Sequence, residues 1–103
     1  MKHVPWSDVV TLIKQTMTKD GENYETIVET RRDLMCSFED GVSQSEFYRS
    51  MKAGMQASAQ VDIWAVDYEG EKIVEFNGRR FNVVRAFQSE FDVKTLILSE
   101  VIR

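Results

Sequence analysis

The sequence predicts a mainly β chain: one small antiparallel β-barrel of about six strands, with a helical insert between the second and third strands. Three observations predict it. Apolar and polar residues alternate with a period of two over most of the chain. Asp-Gly and Asn-Gly pairs fall between such runs, where a hairpin has to turn. One central segment, "VSQSEFYRSMKAGMQA" (residues 42–57), breaks the period and carries helix-start signals instead.

The first hairpin is "DVVTLIKQTMTKDGENYETIVETRRDLMCSFED". Val9, Thr11, Ile13, Gln15 and Met17 alternate with Val10, Leu12, Lys14 and Thr16, which suits a strand with a buried face. Asp20 and Gly21 supply residues that tolerate positive φ, the need of a tight turn. The second strand runs from about Tyr24 to Phe38, which is long, so a bend or bulge is expected near Arg31 and Arg32.

After the insert, Val61, Ile63 and Ala65 alternate with Asp62, Trp64 and Val66. Trp64 shares its phase with Val66 and is expected in the core. Tyr68 to Glu71 reads as a turn. In "KIVEFNGRRFNVV", Asn77 and Gly78 predict a two-residue type I′ turn, because both accept φ > 0. That register sets Val74 opposite Phe81 and Glu75 opposite Arg80, the latter as an expected cross-strand ion pair. The segment "VKTLILSEV" forms the last strand. Closure into a barrel is favoured because it removes the open edges of a short sheet.

The insert has its own logic. Ser43 and Glu46 stand at capping-box spacing, with Val42 and Phe47 placed for a hydrophobic staple. Phe47, Met51 and Met55 at i, i+4 and i+8, with Tyr48 and Met51 at i, i+3, make one apolar stripe. Gly54 is a left-handed stop. So short a helix is marginal in water, and its stripe has to dock. The open end of the barrel and a neighbouring subunit are the two candidates.

The 103 residues make one domain spanning 1–103, with the insert at about 39–58. Hydrophobic residues are 43% and charged residues 29%, an ordinary globular balance that argues against disorder. A net charge of −4 disfavours a dedicated DNA binder, which needs cations facing the phosphates. Arg79, Arg80 and Arg85 are the only dense cations, expected as solvated strand positions. The start of the chain has no signal-peptide pattern and no apolar run spans a bilayer, so synthesis in the cytoplasm and no membrane partner are expected.

Chemistry-bearing motifs are scarce. His3 and Cys36 are the only residues of their kinds and lie far apart in sequence, so no metal site is expected and Cys36 reads as a small core residue. No nucleophile motif or phosphate loop is present. Asp62, Asp67, Glu69, Glu71 and Glu75 fall on turns and polar strand phases, where carboxylates face water. Neither an enzyme nor a cofactor is expected. Trp6 and Trp64 leave one rival reading, an OB-like single-strand nucleic-acid binder.

From Ser43 to Val101 the order of features resembles the head-closure (head–tail adaptor, or stopper) proteins of long-tailed bacteriophages. The residues that carry this are "SEFYRSMKAGM" and "DYEGEKIVEFNGRRFNVVR", with a final "TLILSEV". The resemblance implies a structural virion protein, made in the bacterial host, that closes the head after DNA packaging. It implies a ring of six or twelve copies beneath the portal, contacting the portal-associated adaptor and the tail-terminator or tail proteins. DNA passes such a channel without sequence-specific binding. A tail-completion or other connector protein of the same virion shares these features. The resemblance also implies that the insert, with Ser43, Glu46, Phe47, Tyr48, Met51 and Met55, lies between subunits or near the channel.

Overall fold

Six strands, all antiparallel to their neighbours, close into a barrel in the order β1-β2-β3-β6-β5-β4. They are β1 (Asp8–Lys19), β2 (Glu25–Asp40), β3 (Ala59–Trp64), β4 (Ile73–Phe76), β5 (Arg79–Glu90) and β6 (Val93–Glu100). A short helix, α1 (Gln44–Lys52), lies between β2 and β3, and a single 3-10 turn (Ala65–Asp67) follows β3. The structure, a computed structural model, describes residues 7–19, 21, 25–52 and 56–101, without the side chains of Ser50 and Lys52. Asp20, Gly54, Met55, His3 and Trp6 therefore lie outside the described residues.

The interior follows the period-two pattern. Val10, Leu12, Cys36, Ala59, Val61, Ile63, Val74, Phe81, Leu96 and Leu98 are buried together. Phe38 stacks on Phe76 at 4.0 Å between ring centroids and leans on Phe81 at 5.7 Å, filling one end. Burying each large apolar side chain contributes about 1.5–3 kcal/mol, so this set is the main source of stability.

The Asn77–Gly78 hairpin forms as its residues dictate. Both have positive φ, 50° and 77°, and the register places Val74 opposite Phe81 and Glu75 opposite Arg80. The ion partners differ from the expectation. Arg80 reaches Glu29 of β2 at 2.6 Å, and Glu75 takes Arg31 at 3.3 Å. On the outer wall the buried Ile13 is register partner to both Arg31 and Ile73.

The first hairpin departs from expectation in two ways. The β1–β2 register runs unbroken from Asp8↔Cys36 to Lys19↔Glu25, so no bulge interrupts Arg31 and Arg32. Each arginine instead faces a different side and finds its own acids, which lets the strand continue straight through. The turn expected at Asp20 and Gly21 lies mostly outside the described residues, and Gly21 is exposed. Finally, only residues 11–13 of β1 pair with β4, and only residues 37–40 of β2 pair with β3. The outer halves form a two-stranded ribbon exposed on both faces. At the usual rise per residue, residues 14–19 carry it about 20 Å past the barrel, in a molecule measuring 52 × 29 × 25 Å.

Trp64 corrects another expectation. It is 37% exposed because Ala59, Val61 and Ile63 take the inward phase of β3 and leave Trp64 on the outward one, while Val66, 89% exposed, sits on the 3-10 turn beyond the strand.

Candidate functional site

The insert meets the barrel on its outer wall. Gln60 of β3, Ile97 of β6 and Arg85 of β5 are successive register partners, forming one row across three strands. The N-terminal half of α1 lies over that row, around a cleft of about 220 Å³ lined by Ser43, Glu46, Arg49, Gln60, Arg85 and Ile97, among others.

The helix begins where its sequence says it should. Ser43 Oγ accepts the Glu46 backbone N–H at 3.2 Å, capping one of the open amides of the first turn. The second half of the capping box takes a different course. The Glu46 carboxylate, 8% exposed, pairs with the Arg85 guanidinium instead of turning back to the serine amide. Arg85 in turn stacks over the Phe87 ring, 4.4 Å from its centroid. One glutamate thus leaves its own helix to moor that helix to β5.

A bulge makes this possible. The β5–β6 register shifts between Val83 and Arg85, so Val83 opposes Leu98 while Arg85 opposes Ile97. Strict alternation from Phe81 would point Arg85 into the core. The extra residue, Val84, reverses the phase and sends the guanidinium outward.

The apolar stripe is only partly covered. Phe47 is half-buried, with Tyr48 edge-on to it at 6.1 Å, while Tyr48 and Met51 are 57% and 53% exposed. Tyr48 and Met51 are thus left largely uncovered.

Two further polar networks hold the loops. Arg32 of β2 binds Glu71 Oε2 at 2.6 Å and donates to the Asp67 carbonyl at 2.6 Å, with Glu69 at 3.2 Å. Tyr68 Oη donates to the Glu71 carbonyl at 2.8 Å. Burial alone would raise the Glu71 carboxyl, but hydrogen bonds from Arg32 and the backbone outweigh it and hold the group below the ordinary carboxylate range. Burial pushes the Tyr68 phenol up, helped by the charge of Glu71. At the other end of the barrel, Arg79 joins Glu100 at 2.9 Å and Asp40 at 3.2 Å while stacking on Phe81.

These networks correct two expectations. Glu71 and Asp62 are buried rather than facing water, Asp62 accepting a hydrogen bond from Thr95 Oγ1 at 2.6 Å. Arg79, Arg80 and Arg85 are partly buried and paired, not solvated, so they offer phosphate no unpaired cation. The signal for Arg32 was present in the sequence: adjacent arginines in a strand face opposite sides, and each needs an acid.

Other groups are chemically quiet. Cys36 is buried in the core, and burial, then the charges of Asp8 and Asp62, pushes its thiol up to about 12. Among the described residues no group of His, Cys, Asp and Glu is placed to hold a metal ion. None of the described helices is long and apolar enough to cross a membrane. No family model and no curated protein matches the chain.

Proposed function

We propose that this chain is a structural connector of a long-tailed phage, closing the head after packaging and joining portal and adaptor to tail by ring assembly rather than catalysis. The observation that carries the reading is where the exposed apolar residues lie. Val66, at 89% exposure, and Phe91, at 94%, sit on loops at the end of the barrel from which the ribbon extends, beside Met17 and Ile27 on the ribbon itself. Tyr48 and Met51 lie on α1, in the connection that leaves the barrel at the other end. Separate apolar surfaces on a rigid barrel suit a subunit with distinct neighbours.

The charge agrees with this role. At −4 the chain repels phosphate, which suits a channel wall that DNA must slip past. The insert supports a lateral or channel-facing contact through Phe47, Tyr48 and Met51, moored by Glu46.

Affinity capture with purified portal, adaptor and tail proteins tests the proposal. Retention on the adaptor or on a tail-terminating ring supports it, and binding to a tail-tube protein alone favours the tail-completion role. Salt-sensitive binding of oligonucleotides, with no retention by any of these proteins, favours the single-strand binder.

A further inference from the structure

The ribbon formed by residues 14–19 and 25–30 has two open edges. Among the described residues, β1 beyond Ile13 pairs only with β2, and β2 before Ser37 pairs only with β1. An isolated two-stranded ribbon is marginal in water. This one is rich in strong strand formers, Thr16, Thr18, Thr26, Ile27, Val28 and Thr30, with no Pro or Gly to blunt either edge. Met17 and Ile27 are register partners, 62% and 59% exposed, and Val28 is 45% exposed on the other face.

The two edges differ in charge. Residues 14–19 carry Lys14 and Lys19 and no acid, whereas residues 25–30 carry Glu25 and Glu29 and no base, Glu29 being already bound to Arg80 so that Glu25 is the acid left to a neighbour. Pairing like edges would set lysine against lysine or glutamate against glutamate. Pairing unlike edges sets opposite charges together.

We infer that copies of this chain join edge to edge through their ribbons, the free β1 edge of one copy pairing antiparallel with the free β2 edge of the next. Each copy then offers one edge of each kind, a heterologous contact that repeats around a closed ring and leaves no edge open. Ring closure rests on the connector reading; the edge contact itself does not.

Cysteine cross-linking tests this, with Thr16→Cys and Thr26→Cys made in separate chains. Both positions are exposed, and the one native thiol, Cys36, is buried and unreactive. A short bis-maleimide added to the concentrated mixture is expected to join unlike copies about tenfold more than like copies, the ratio that favourable against unfavourable cross-strand charge pairs support. Lys19→Glu in the Thr16→Cys chain lowers the yield, and Glu25→Lys in the Thr26→Cys chain restores it. Predominant cross-links between like copies overturn the inference. So does an absence of cross-links at millimolar concentration, the result if the lysines only shield the edge, and so does a lack of rescue. Each of these outcomes leaves the connector role standing, since capture by portal, adaptor and tail proteins reads that separately.

Discussion

Glu46 of α1 and Arg85 of β5, 39 positions apart in the chain, form the ion pair that fixes the insert to the barrel wall. Sequence spacing alone assigns the glutamate to its own helix end. Its carboxylate is almost wholly covered, while the guanidinium is about one-third exposed and rests on Phe87. Arg85→Met is expected to cost about 1.5–3 kcal/mol at the insert, the range for a hydrogen bond to a charged group. Hydrogen exchange checks it: amides of residues 44–52 lose protection while those of the barrel strands keep theirs.

The bulge at Val84 sets the direction of Arg85. Deleting Val84 restores strict alternation and turns the guanidinium toward Leu98 and Phe81. A buried unpaired charge costs several kcal/mol, so the deletion is expected to unfold the barrel or force a new register. Near-ultraviolet circular dichroism of the deletion distinguishes it from Val84→Ala, which keeps the bulge and the native signal.

Gly78 has φ of 77°, a conformation that costs a β-branched residue about 1–2 kcal/mol. Gly78→Val is expected to lose that amount in urea unfolding. Asn77→Gly, at φ 50°, is expected to stay within about 0.5 kcal/mol of the parent.

Acid should weaken the fold in a definite window. Glu29, Glu71 and Glu100 all have carboxyls held below their ordinary 4.5: Glu29 first by Arg80, Glu100 first by Arg79, and Glu71 by Arg32 and backbone donors against its burial. A lowered folded-state value stabilises above 4.5, and that share is lost as pH falls through the lowered values. The melting temperature is expected to hold from neutral pH to about 5 and then fall. In Arg32→Met, Glu71 is buried without its cation and its carboxyl rises, so the sign reverses. The deficit of that variant is greatest at neutral pH and shrinks as pH falls.

The parts legible in the sequence are those governed by local rules. The Asn77–Gly78 turn sets the register of β4 and β5, and the capping serine sets the start of α1. Alternation around Val61 and Ile63 locates a buried face. What escaped depends on the closed barrel. Glu75 and Arg80 are register neighbours, yet their charges find Arg31 and Glu29 because the curved wall brings β2 within reach. Trp64 stays out of the core because Val61 and Ile63 take the inward phase of its strand, and Arg85 faces outward because of a one-residue bulge. Glu71 and Asp62 look solvated in sequence because only the closed fold covers them.

The proposed role is to close a packaged head and join it to a tail. Electron microscopy of phage particles assembled with the gene for this chain removed tests that role. DNA-filled or leaking heads without tails are expected, restored to tailed particles when the chain is supplied. Normal tailed, DNA-filled particles in its absence would contradict it.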